Sequence, residues 1–378
     1  RGEIEIDENN NIYIGSCTRS VDFPVTNAAF QSSFGGGNLD GCIFKFDNSL
    51  QNLIWSSYLG GEKHDAIYSI AIDDSLNLFC SGGTNSNQFP ATEGAYQETF
   101  QGGRCDGFVT HILNNGQEIL NSSFYGSQDY DQIFFVDIDK NNNSYVFGQT
   151  EIQDSSFIEN ASWSVPGSGQ FVSKLRNNLS SRFYSTVFGS GNGINISPTA
   201  FLVDLCNKMY LAGWGGAINQ LGILDNNAGY TTNMPISTDA FQSVSLDSSD
   251  FYIMVIEDDA SGFVYGSYFG GDLSSEHVDG GTSRFDKKGK IYQAICAGCG
   301  GNSDLPIEPS GAVSPTNNSS CNLGVFKMEF ELPYVLADFE LPEIKCEPVT
   351  HTFFNTSVSQ SSSNFSWNFG DGAISNEE

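Results

Sequence analysis

One period governs this chain. An Asp that ends an apolar run recurs at Asp7, Asp73, Asp139 and Asp204, with spacings of 66, 66 and 65 residues, and returns at Asp286 after an insertion around 220–232. Phe23-Pro24 and Phe89-Pro90 are followed at fixed distance by Ala29-Phe30-Gln31 and Ala95-Tyr96-Gln97, and Met234-Pro235 with Ala240-Phe241-Gln242 keeps that spacing. An aromatic-Gly signature closes the units at Tyr58-Leu59-Gly60-Gly61, Phe124-Tyr125-Gly126-Ser127, Val187-Phe188-Gly189-Ser190 and Tyr268-Phe269-Gly270-Gly271. Four landmarks repeating in order require a repeat architecture, in which each unit buries its apolar face against the next.

Each unit reads as four short strands. In the second copy these are Ile67 to Asp73, Leu78 to Gly82, Gly107 to Leu113 and Ile119 to Tyr125, with the alternation and the β-branched and aromatic enrichment of strands. Tight polar turns such as Asp74-Ser75-Leu76-Asn77 join the first strand to the second, a long loop joins the second to the third, and another tight turn joins the third to the fourth. Tandem four-stranded units are the pattern of β-propeller blades, since the repeat of a parallel β-helix is usually much shorter. Five blades are expected: Ile4 to Gly61, Asp65 to Ser127, Asp131 to Ser190, Pro198 to Gly271 and Gly280 to Phe330. Further blades are expected before Arg1, because the sequence opens inside the first one.

Composition agrees with an all-β chain. Only 16% of the 378 residues are charged, so the polar surface is left to Asn, Ser, Gly, Gln and Thr, and the 30 Phe supply ample core. With 16 Lys+Arg against 45 Asp+Glu the net charge is −29, which argues against nucleic acid or an anionic membrane as partner. No apolar run reaches the roughly 18 residues of a membrane helix. The chain opens on Arg1 rather than Met, so a targeting peptide is expected to be cleaved or to lie outside this sequence.

The stretches Val21-Asp22-Phe23-Pro24-Val25-Thr26, Gly41 to Phe46 and Tyr58-Leu59-Gly60-Gly61 resemble the SBBP β-propeller repeats of Bacteroidota surface proteins. Gly213-Trp214-Gly215-Gly216 and the run Ile291 to Gly301 resemble segments typical of the large members, and the third blade is the most degenerate copy. The resemblance covers residues 4 to 330. After Phe330 the period stops, and Phe365-Ser366-Trp367-Asn368-Phe369-Gly370-Asp371-Gly372 resembles the opening half of a PKD domain, an immunoglobulin-like sandwich. The expected division is a propeller over 1–332 and a truncated PKD sandwich over 333–378. Such a sandwich needs about 100 residues, so it is expected to continue beyond Glu378. The resemblance further implies export through the type IX secretion machinery, a place on the bacterial surface or outside the cell, and a role in adhesion or gliding motility.

Nine cysteines suit an oxidising compartment. Cys206, Cys296, Cys299 and Cys321 are expected to form two bridges tying the last two blades, and Cys17, Cys42, Cys80 and Cys105 two more of open connectivity. Cys346 is left for the remainder of the sandwich. A zinc site at Cys296-x-x-Cys299 would want a second close ligand pair, which the sequence lacks. Calcium is the one cofactor the residues suggest. Asp137-x-Asp139-x-Asn141 copies the start of an EF-hand loop, although Gly148 stands where the bidentate Glu belongs, which favours a plain turn.

No hydrolase motif is present: Gly-x-Ser-x-Gly, His-Glu-x-x-His and the Walker pattern are all missing. The histidines His64, His111 and His277 share no sequence context, and Asp258-Asp259 reads as a hairpin turn. The chain is therefore read as non-enzymatic. A carbohydrate-binding module is the alternative, with Phe23, Phe89 and Trp214 stacking on sugar rings and a surface polysaccharide or another surface protein as partner. Core packing is the competing reading of those rings, because they recur at fixed positions. A propeller hydrolase is a third reading that no motif supports.

Overall fold

The computed structural model describes residues 2–216, 224, 229–278, 284–286, 289–308, 310–330, 335–336, 339–340, 352–359, 364–370 and 372–376. Five antiparallel sheets follow one another along the chain and make an all-β propeller. The first blade contains β1 (Glu3–Ile6), β2 (Ile12–Thr18), β3 (Asp40–Phe46) and β4 (Leu53–Leu59). The second contains β5 (Asp65–Ile72), β6 (Leu78–Thr84), β7 (Asp106–Ile112) and β8 (Ile119–Tyr125). The third contains β9 (Asp131–Ile138), β10 (Ser144–Thr150), β11 (Gln170–Leu175) and β12 (Arg182–Phe188), so the most degenerate repeat still builds a full sheet. The fourth contains β13 (Ser197–Val203), β14 (Met209–Trp214), β15 (Phe251–Ile256) and β16 (Phe263–Phe269). Strand order within each of these four is sequential.

The fifth blade departs from expectation. Its first strand is split into β17 (Ser275–His277) and β18 (Arg284–Phe285), which pair with the two ends of β19 (Ile291–Cys299), and β20 (Asn322–Met328) lies on the other side. The blade thus begins five residues before the Gly280 boundary expected from the repeat. Gly280 itself, the 331–334 connector and most of the 220–232 insertion lie outside the described residues, as does Cys346.

Blades join through two kinds of contact. Apolar side chains interdigitate between neighbouring sheets: Tyr13, Ile43 and Trp55 of the first blade meet Ile67, Ile70 and Leu78 of the second in one buried cluster. Trp55 stands edge-on to Tyr13 and donates its Nε1–H to the Asn114 carbonyl of the second blade at 2.9 Å. At the hub, a side chain on the first strand of each of the first three blades accepts a backbone N–H from the next blade. Glu3 accepts from Ile70 (3.2 Å), Ser69 from Val136 (3.0 Å) and Asp137 from Val203 (2.7 Å), which steps the register from blade to blade. Glu3 also pairs with Arg284 at 3.5 Å, linking the first blade to the fifth.

That last link spans a seam. Ile4 and Ile6 on the leading face of the first blade are 56% and 60% exposed, whereas one repeat later Ile70, the counterpart of Ile4, is buried and Ile72, the counterpart of Ile6, is half-buried. Leu323 and Val325 on the trailing face of the fifth blade are 78% and 71% exposed, while Ile43 and Ile253, at the position of Val325 in the first and fourth blades, are fully buried. Each face is apolar for the same reason its inner counterparts are, and neither is covered by a neighbouring sheet of the described residues.

The tail forms short antiparallel pairs among its described residues. β21 (Val335–Leu336) pairs with β24 (Val358–Ser359), β22 (Phe339–Glu340) with β23 (Phe354–Asn355), and β25 (Trp367–Asn368) with β26 (Ile374–Ser375). Trp367 lies 5.7 Å from Phe339 and 6.2 Å from Phe353, and Phe369 joins the same aromatic group. No helix among the described residues is long and apolar enough to cross a membrane.

Candidate functional site

The recurring Asp at the end of each first strand builds its own turn. Asp139 Oδ1 accepts the N–H groups of Asn141 (2.9 Å) and Asn143 (3.0 Å), and Asp7 and Asp73 repeat this arrangement. Each then meets a base on the third strand: Lys45 with Asp7 at 3.2 Å, His111 with Asp73 at 3.1 Å and Lys174 with Asp139 at 3.2 Å. The bases also lie on the aromatic of the second strand, Lys45 on Tyr13, His111 stacked on Phe79 and Lys174 on Tyr145. This corrects the calcium reading of Asp137, Asp139 and Asn141. Burial pushes the Asp139 carboxyl up, but its hydrogen bonds and Lys174 hold it below the usual range, and Asp137 is engaged by Val203 at the hub. A lysine already occupies the place a cation would take.

The cysteines are mostly thiols. Cys299 and Cys321 form the disulfide, with Cα atoms 4.4 Å apart. Cys17, Cys42, Cys80, Cys105, Cys206 and Cys296 form no disulfide among the described residues, which corrects the expected bridges among them. Register supplies the reason for the first pair: Cys42 lies opposite Ser16 and Cys17 opposite Gly41, so the two side chains leave opposite faces of the sheet. Cys80 faces Thr110 within the second blade, Cys105 packs beside Gly83, and Cys206 sits in the Asp204 turn. Burial pushes the Cys42 thiol up to about 12 and those of Cys80 and Cys105 higher, leaving them unreactive hydrophobes. The Cys299 bridge also removes the zinc reading of Cys296-x-x-Cys299.

The expected ligand-stacking rings belong largely to the fold. Phe89 is buried against Phe108 (4.3 Å) and Phe124, Trp214 is buried near His277, and half-buried Phe23 leans on Phe44 and Tyr58. Packing therefore replaces sugar stacking at Phe89 and Trp214.

A set of buried carboxylates at the blade joints escaped the sequence reading. Asp40 at the start of β3 meets Asp65 at the start of β5, Asp106 meets Asp131, and Asp250 meets Glu276; all six are fully buried. The first Gly of each closing signature stands between the partners. A β-carbon on Gly60 would lie 2.9 Å from Asp65 Oδ2 and 3.0 Å from Asp40 Oδ1, and one on Gly126 or Gly270 would collide with Asp106 or Asp250. The repeated Gln of the Ala-aromatic-Gln motif fixes that glycine: Gln31, Gln97 and Gln242 accept the N–H groups of Gly60 (3.0 Å), Gly126 (2.8 Å) and Gly270 (3.0 Å). Asp65 accepts Gly61 N–H (2.8 Å), Ser86 Oγ–H (2.9 Å) and Thr84 Oγ1–H, whereas Asp40 Oδ1 and Asp106 Oδ1 find no hydrogen-bond partner.

Two carboxylates in one dry joint cannot both ionise cheaply. Burial, with the partner's charge added, pushes Asp40 up to about 7 and Asp106 up to about 8; burial lifts Asp65 to about 6 and Asp131 to about 7 against the hydrogen bonds they accept. The third blade carries the neutral version of the same joint. Gln170 and Asn195 replace the acids around Gly189, and Gln170 Oε1 accepts the Asn195 N–H at 3.2 Å. A sequence signal existed, in Asp40 with Asp106 and Asp65 with Asp131, each repeated at the 66-residue period.

An open cleft of about 370 Å³ lies at the joint of the second and third blades. Tyr96, Gln101, Gln128, Asp154, Ser156 and Arg182 line it. The Arg182 guanidinium sits 5.0 Å from the Tyr96 ring and is held by Glu159 at 2.7 Å. Its wall is thus an aromatic face flanked by planar polar groups.

Fold and joints together define a β-propeller of four-stranded repeats. Residues 54–90 match the family described as SBBP, a β-propeller repeat. Among solved structures, a protein of unknown function from Dyadobacter fermentans aligns over 80% of this chain and 76% of its own, at 9% identity and a TM-score of 0.41. BamB from Moraxella catarrhalis aligns over 75% and 84%, at 11% identity and a TM-score of 0.25. No curated protein matches the chain.

Proposed function

We propose that this chain is a non-catalytic binding propeller on a Bacteroidota cell surface. It is exported by the type IX secretion machinery, carried on PKD spacers, and serves attachment or gliding by holding a surface polysaccharide. The cleft at Tyr96 and Arg182 carries the reading. Its volume suits one or two sugar rings, the Tyr96 face offers a stacking surface, and Gln101, Gln128 and Asp154 offer hydrogen bonds to hydroxyl groups. The Cys299–Cys321 bridge suits an oxidising compartment, and a net charge of −29 suits a soluble surface domain. A hydrolytic role is the weaker reading, because the paired carboxylates of the joints are sealed beneath glycines rather than open to a polymer.

The test is genetic and structural at once. Deleting the gene in its native bacterium should abolish surface attachment or colony spreading, and the full-length gene should restore the lost trait. A Tyr96→Ala gene, expressed and folded at wild-type level, should restore it poorly. Normal attachment and spreading in the deletion strain would remove the adhesion and motility reading. Full rescue by Tyr96→Ala would remove the cleft from it.

A further inference from the structure

We propose that the joint between the fourth and fifth blades binds one calcium ion, held by the carboxylates of Asp247, Asp250 and Glu276. One oxygen of each lies within 4.8 Å of the others. Oxygens on opposite sides of a calcium ion stand about 4.6–5.2 Å apart, given bonds of about 2.3–2.6 Å, so one ion can touch all three. This joint differs from the first two by a third acid. Gly37 and Gly103 stand at the place of Asp247 in the first and second blades, where the joint holds two carboxylates.

The second observation is an unused oxygen. Asp250 is fully buried, and its Oδ1 has no hydrogen-bond partner. That oxygen faces the space over Gly270, where a β-carbon would collide with it and lie 2.9 Å from Glu276 Oε2. The glycine therefore lets the two carboxylate oxygens close in on one another over its backbone. The remaining contacts orient the ligands. Asp250 Oδ2 accepts Gln242 Nε2–H (3.3 Å), Glu276 Oε2 accepts Gly271 N–H (3.1 Å), Glu276 Oε1 accepts Ser274 Oγ–H (3.4 Å), and Asp247 accepts the N–H (2.9 Å) and Oγ–H (2.8 Å) of Ser249.

Charge points the same way. Asp272 adds a further negative field at Asp250, and no ion pair reaches Asp247, Asp250 or Glu276 among the described residues. Three acids without a base are the arrangement that a hard divalent cation resolves, with water completing the six to eight oxygens calcium takes.

Isothermal titration of the chelator-stripped protein with CaCl2 tests this. One calcium per chain is expected, and Asp250→Asn and Glu276→Gln should each weaken it by about tenfold or more. Asp40→Asn, at the two-acid joint, should leave it unchanged. Absence of binding at millimolar calcium would overturn the site, as would affinity retained by folded Asp250→Asn and Glu276→Gln proteins. Should both variants misfold by circular dichroism, Asp247→Asn on the surface loop decides: undiminished affinity there also rejects the site.

Discussion

Replacing both Asp106 and Asp131 by Asn is expected to stabilise the protein at pH 8 by about 2 kcal/mol or more, and to change it little at pH 4. The folded carboxyls release their protons near pH 8 and 7, against an ordinary value of 3.8. Between those limits the folded state holds protons that the unfolded chain has lost. The stability these groups contribute is therefore complete below about pH 4 and is lost as pH rises through about 8. Asp40 and Asp65 act in the same sense, being raised to about 7 and 6. His64 and His111 act oppositely, because burial lowers both and they disfavour the fold as pH falls below their ordinary 6.5. The Asn pair copies what Gln170 and Asn195 already do one blade later. Thermal melts of wild type and variant across pH 4–9 decide it, and identical slopes in the two proteins would show that these joints do not hold buried protons.

Gly82→Ala and Gly148→Ala should each cost about 3 kcal/mol, the upper end for overpacking a buried site. Both glycines face a register shift in the neighbouring first strand, between Ile67 and Ser69 for one and against Ile133 and Phe135 for the other. There the Ala66 or Gln132 carbonyl turns in, and an added methyl would fall on it. Since the collision is with backbone, no rotamer relieves it. Gly262→Ala, whose new methyl would meet only Glu257 at 3.9 Å, should be near neutral in the same urea titrations. Equal midpoints for all three variants would mean that the bulge moves freely.

The landmarks that spaced the repeat also explain what it hid. Asp7, Asp73 and Asp139 announced their turns because the partners lie within four residues. Tyr58 and the closing glycines marked the last strands because both recur at constant distance from those turns. Asp40 and Asp65 were as regular, but their meeting spans a 25-residue excursion through another strand pair, and periodicity records position rather than contact. The cysteines misled for a related reason. Cys80 stands where Ile14 stands in the first blade, and Cys42 where Phe108 stands in the second, so each fills an apolar slot and needs no sulfur partner. The split first strand of the fifth blade escaped because Glu276 stands 10 residues ahead of Asp286, where Asp65 and Asp131 stand 8 ahead of Asp73 and Asp139. Phe89 lies in its loop as expected but is buried against Phe108 and Phe124 of its own blade, whereas Trp214 ends β14 rather than lying in a loop and is covered from the fifth blade at His277.

Among the five described blades, the uncovered faces at the seam set the order in which blades come apart. The second, third and fourth blades are gripped on both sides, while the first and fifth each have one full neighbour and the Glu3–Arg284 bridge. In a stack whose stability is a sum of nearest-neighbour terms, the outermost members open first. Within these five blades the amide protons of the first and fifth therefore meet water sooner than those of the inner three, and fraying travels inward from the seam rather than starting at any blade alike.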